Sequence, residues 1–177
     1  MKYLIVFFFT VLVSVGYSQK FGYVDSEKIL EAIPDYKKAQ QEIDKLSMQY
    51  QQEIESQYSN LDSLYQAFRR EEIYLTDEMK RKRQENIVKK EQEIKEYQKK
   101  IFGFEGQIFL KRQELIAPIQ ERVFEEVKKI AQTHKLQFVF DKSGDLVMLY
   151  VDPTHDYTDL VLEELGLGDP TDTIDNK

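Results

Sequence analysis

Residues able to do covalent or metal chemistry are few in this chain. There is no cysteine, and the two histidines, His134 and His155, lack the HExxH spacing that sets two imidazoles on one helix face. They read as a helix-end and a turn histidine, so no metal site is expected. Asp and Glu are spread over the whole length, so paired carboxylates carry no acid–base signal. The GxxG spacing of Gly103 and Gly106 lies inside a helical pattern, without the strand and loop of a phosphate-binding turn. Nothing assembles a nucleophile, a base and an oxyanion site. The expectation is a non-enzyme without a cofactor.

Two clusters carry more information. Lys80-Arg81-Lys82-Arg83 follows Arg69 and Arg70 closely, a local positive charge on a chain of formal net charge −7. It is either a solvated helix face balanced by Glu71, Glu72, Asp77 and Glu78, or a contact surface for acidic partners or anionic lipid headgroups. The second cluster is IFGFEGQIF, Ile101 to Phe109. Ile101, Phe104 and Ile108 fit one helical seam, and Phe102 and Phe109, seven residues apart, share a second face. Gly103 and Gly106 each cost about 1 kcal/mol in a helix interior. The segment either packs against another helix of an oligomer or forms an apolar wall that bends at Gly103 and Gly106.

Long helices must position both clusters. Apolar residues fall at Ile43, Leu46, Tyr50, Ile54, Tyr58, Leu61, Leu64 and Phe68, in steps of three or four that mark one amphipathic helix. A second series runs through Ile87, Ile94, Tyr97, Ile101, Phe104 and Ile108, then Leu115, Ile119, Val123, Val127 and Ile130. Thr76 and Asp77, followed by Glu78, form the best helix start between them, which places a hairpin tip at 75–77. Pro34 and Pro118 lie equally far from Thr76 and would stand level at the hairpin base. The arm is therefore 34–118, about 60 Å long at about 1.5 Å per residue.

The remainder, 19–33 and 119–167, reads as a small body. Phe21 to Asp25, Leu136 to Asp141 and Leu146 to Val151 make a three-stranded sheet, with a turn at Lys142-Ser143-Gly144-Asp145. Short helices follow at 26–33 and about 156–165. The run Leu146 to Val151 is apolar on both faces, which suits a strand covered from both sides. So thin a core implies an oligomer whose bodies share it, with Val147, Leu149 and Val151 inside. Before the body, Lys2, an apolar run from Tyr3 to Val15 and Gly16-Tyr17-Ser18 read as a signal peptide, 1–18, cleaved after Ser18. Export argues against a nucleic-acid partner. The tail 168–177 is acidic and short of apolar residues.

Six features act together: GYVDSEKIL after a signal, Pro34, a charged helical hairpin, APIQERV, the pair LQFVFD and VMLYVD, and DYTDLVLEEL. On them the chain resembles the Skp/OmpH family of periplasmic chaperones over nearly all of its mature length. The resemblance implies an α+β, mostly α fold. A long antiparallel helical hairpin, or tentacle, projects from a small β-rich body whose strands are shared in a homotrimer. It implies an ATP-independent holdase that keeps unfolded outer-membrane proteins soluble in the periplasm for delivery to the outer membrane. Clients would meet Lys80, Arg81, Lys82, Arg83, Arg69, Arg70, Phe102 and Phe109, with lipid contact at the arm tips. The rival reading is a coiled-coil tether of the cell envelope that holds no clients.

Overall fold

The computed structural model describes residues 20–144 and 148–168, in two compact units. Residues 1–19, which include the expected signal peptide, 145–147 of the expected turn and third strand, and the tail from 169 onward lie outside the described residues.

The first unit, Ile33–Glu121, holds the helical hairpin. Helix α2, Pro34–Glu71, begins with proline at its first turn, where a missing N–H costs nothing. After a 3-10 turn, Glu72–Tyr74, the chain reverses at Leu75, and α3 spans Asp77–Phe102. Thr76 caps α3, its Oγ1 accepting from the Met79 N–H at 3.3 Å. Ile54, Leu61, Phe68, Ile87 and Ile94 close the outer seam between α2 and α3. Ala39, Ile43 and Ile116 form a second apolar cluster. Tyrosine hydroxyls bridge the two sides: Tyr97 donates to Glu53 at 2.8 Å and Tyr50 to Gln107 at 2.7 Å. The hydrogen bond to Glu53, aided by desolvation, holds the Tyr97 phenol above its ordinary pKa.

The expected second helix is two helices. α3 stops at Phe102 and α4, Gln107–His134, starts afresh. Gly103 leaves the helix with ψ 178, Glu105 adopts φ +55, and the Gly106 N–H donates to the Gly103 carbonyl at 2.9 Å. Both glycines are required by close approach: a Cβ on Gly103 would strike the Lys99 carbonyl oxygen, and one on Gly106 would come within 2.6 Å of Ile101 O. Phe104 leaves the seam assigned to it and is 93% exposed. Pro118 differs from expectation too. It lies inside α4, which continues to His134, so it does not end a helix. One lost N–H is a tolerable defect in 28 residues of otherwise regular helix.

The second unit comprises the chain before Ile33 and after Glu121. Strand β1, Phe21–Val24, pairs in parallel with β2, Phe138–Asp141, with Phe21 opposite Phe138 and Val24 opposite Asp141. Helices α1, Ser26–Ala32, and α5, Thr158–Glu164, pack together. Tyr23, Val24, Ile29, Val123, Ile130, Val161 and Leu162 are buried. Gly22 must be glycine, because a Cβ there would lie 2.5 Å from the Tyr157 ring. The buried Thr158 hydroxyl accepts from the Asp25 N–H at 2.9 Å, and the Thr158 N–H donates to Asp156 Oδ1 at 2.9 Å.

Among the described residues the sheet has two strands where three were expected. Met148–Val151 belongs to no strand. The second edge of β1 is taken by Asp156 and Tyr157: Tyr23 bridges to Asp156, and the Tyr157 N–H donates to the Tyr23 carbonyl at 2.9 Å. Met148–Val151 is left out of the ladder, and Leu149 and Tyr150 have no layer over them within the described residues.

Candidate functional surfaces

At the hairpin tip, Lys80, Arg81, Lys82 and Arg83 occupy the first turns of α3, and Arg69 and Arg70 the last turn of α2. The cations are partly paired. Arg83 reaches Glu71 at 3.5 Å and Arg81 lies 4.0 Å from Glu85, both exposed pairs of small energetic weight. Between the two basic turns, Ile73 and Tyr74 are 79% and 82% exposed. Sequence reasoning missed this apolar tip. Its signal was that Ile73 and Tyr74 fit neither seam once the turn is placed, whereas Leu75 packs against the outer one.

At the helix break, Phe102 and Phe109 do not share a continuous helical face, because the backbone leaves the helix between them. Phe102 lines a shallow groove with Ile54 and Tyr58. Phe109 stacks with Phe104 at a centroid separation of 6.3 Å. Just beyond the break, Lys111 pairs with Glu42 at 3.1 Å and Glu114 at 3.2 Å, and those bonds raise its pKa.

In the body, Asp141 closes the sheet onto α1. Its Oδ2 accepts from the Ser26 hydroxyl at 2.6 Å, and its Oδ1 from the Ser26 and Ser143 N–H groups at 3.1 Å each. Desolvation alone would raise its pKa, but these bonds together outweigh it and hold the carboxyl below its ordinary range. Burial, and secondarily Asp156, pushes the Tyr23 phenol upward. His134 meets Tyr157 edge-on at 5.2 Å and His155 lies tilted against Phe21 at 4.8 Å, so both imidazoles pack against aromatic rings. Among the described residues no group of three His, Asp or Glu is placed to hold a metal. No described helix is long and apolar enough to cross a membrane.

The largest apolar exposure also lies in the body. Leu149 is 97% and Tyr150 82% exposed, and Val151 is half-buried. Phe138 and Phe140, on one face of β2, are also exposed, their centroids 6.5 Å apart. Phe21, Phe140, Met148 and Tyr150 line an apolar hollow of about 380 Å³.

The family described as outer membrane protein (OmpH-like) matches residues 20–165. The chain belongs to the OmpH-like family. A relative from Aquifex aeolicus (strain VF5), of uncharacterized function, is 28% identical over 156 residues, covering 88% of this chain and 91% of the relative. A crystal structure of an outer-membrane-chaperone candidate (OmpH-like) from Caulobacter crescentus CB15 superposes with a TM-score of 0.63 at 14% identity, over 85% of each chain. That likeness establishes an OmpH-like fold, in which a long helical hairpin accompanies a small α+β body.

Proposed function

We propose that this OmpH-like chain is an ATP-independent holdase of the periplasm, exported by a signal peptide cleaved after Ser18. It binds unfolded outer-membrane β-barrel proteins and keeps them soluble, as a homotrimer. The observation that carries the reading is the amount of large apolar side chain left in water: Leu149 at 97%, Phe104 at 93%, and Tyr74 and Tyr150 at 82%. Isolated exposed apolar residues are ordinary, but neighbours exposed together, Leu149 with Tyr150, Ile73 with Tyr74 and Phe104 with Phe109, mark surfaces with partners. In the body the partner is a second copy, with Val147, Leu149 and Val151 in the shared core. Along the arm it is a client, met by Phe102 and Phe109 and, electrostatically, by Lys80, Arg81, Lys82, Arg83, Arg69 and Arg70. The same cations would meet anionic headgroups where the tip reaches a bilayer. Many weak contacts retain a client without sequence specificity.

Light scattering from a urea-unfolded β-barrel protein diluted into buffer tests this. The mature protein suppresses aggregation without nucleotide. An envelope tether that holds no clients leaves the aggregation unchanged, and that outcome contradicts the proposal.

A further inference from the structure

Five exposed positions of α2, Gln49, Gln52, Ser56, Asn60 and Ser63, follow one another at steps of three or four residues and so form one stripe. None is charged. α3 fills its outer positions mainly with Lys, Arg and Glu, the ordinary way to solvate a helix. In a chain that is 32% charged, a neutral stripe of this length calls for a reason other than solubility. Beside it lies a groove of about 590 Å³, with Gln57, Asn60 and Ser63 on the α2 side and Lys90 and Glu93 on the α3 side. Leu61 and Ile94 lie beneath. Lys90 and Glu93 pair at 2.7 Å and cancel one another's charge. The Ser63 hydroxyl donates to the Ser59 carbonyl at 3.0 Å and keeps its lone pairs for an incoming donor.

We propose that this neutral stripe and groove hold extended segments of unfolded polypeptide through the client's backbone amides. The proposal rests on the holdase reading and supplies its mode of recognition. An unfolded chain offers one N–H and one C=O per residue, and carboxamides and hydroxyls answer both. Neighbours on the stripe stand about 5–6 Å apart, close to the roughly 6.6 Å repeat of two residues in an extended strand. Alternate client side chains then face the apolar floor of the groove. A neutral stripe is indifferent to client charge, and Gln and Asn adapt as flexible polar contacts do elsewhere. Each bond is weak on balance, so retention depends on their number.

The test measures wild-type protein and a variant carrying Gln52→Ala, Gln57→Ala and Asn60→Ala, which keeps helix propensity high. Three fluorescent probes are titrated: a urea-unfolded β-barrel protein, a peptide copied from one of its strands, and that peptide N-methylated at every second residue. Circular dichroism checks that the variant remains helical. The wild type should bind the peptide about tenfold more tightly than its N-methylated form. The variant should lose about tenfold on the unfolded protein and the parent peptide, and the discrimination with it. Equal wild-type affinity for the two peptides, or unchanged binding by the variant, overturns the proposal and leaves the holdase reading standing. A variant that changes only its sedimentation shows the stripe packing against a second copy, which also overturns it. A wild type that fails to bind even the unfolded protein removes the holdase reading itself, and this proposal falls with it.

Discussion

In the arm, Ile94 is 4% and Ile101 1% exposed; in the body, Leu149 is 97% and Tyr150 82% exposed. Both regions are rich in apolar residues, but the arm covers its own along the seam and exposes them only at the tip and the helix break. A hairpin brings two amphipathic stripes together within one chain, and Ile54, Leu61 and Phe68 meet Ile87 and Ile94 across the seam. The body buries Tyr23, Ile29 and Val161 under its short helices but leaves Leu149, Tyr150 and Phe138 in water. The arm's seam is thus closed within one chain, whereas the body leaves the surface that the proposed oligomer would cover.

The largest effect should come from attacking the body where it is open. Leu149→Asp places a carboxylate in the proposed shared core at a cost of several kcal/mol, enough to dissociate the oligomer. Because Leu149 is exposed in the single chain, the hairpin helices should persist by circular dichroism. An unchanged sedimentation coefficient would sink the idea that the body is completed by copies. Next in size, Ile94→Ala in the arm should cost about 2–5 kcal/mol, a buried-core truncation, and lower the thermal midpoint. A loss below about 0.5 kcal/mol would mean that the outer seam is not a core.

Gly103→Ala with Gly106→Ala should destabilise the arm by about 1–3 kcal/mol, since each added Cβ meets a backbone carbonyl. Were the segment a plain helix, the same change would stabilise it, so the sign read from denaturant midpoints decides. Smallest is Asp141→Ala, which removes the bonds to Ser26 and should cost about 1 kcal/mol, confined to the body. The Asp141 pKa is depressed in the folded state. Its contribution is therefore present above the unfolded value and lost as pH falls through the folded one. The difference between wild type and Asp141→Ala should shrink on acidification through the carboxylate range; a difference that grew would contradict the assignment.

The arm's apolar spacing was legible because a helical period repeats over many turns and errors average out. Thr76 was legible because a cap is a local matter. The break at Gly103 was not, since its position depends on Glu105 entering the left-handed region, and the surrounding pattern stays periodic across it. Two glycines beside an aromatic that the seam cannot hold were the available signal. The parallel pairing of β1 with β2, and the capture of the second β1 edge by Asp156 and Tyr157, depend on contacts far apart in sequence. Local alternation marks a strand and says nothing of its neighbour. For the site residues, the charges at the tip were plain in the sequence, but the exposure of Ile73, Tyr74 and Phe104 followed only from where the helices stop.

The central claim, retention of unfolded clients by an assembly of this chain, is tested most directly by sedimentation velocity of the mature protein mixed with a fluorescent, urea-unfolded β-barrel protein in nucleotide-free buffer. The account predicts that the label sediments as one discrete species, larger than the assembly alone, and that Leu149→Asp abolishes it. A label that pellets as aggregate beside an unchanged OmpH-like oligomer would contradict the account.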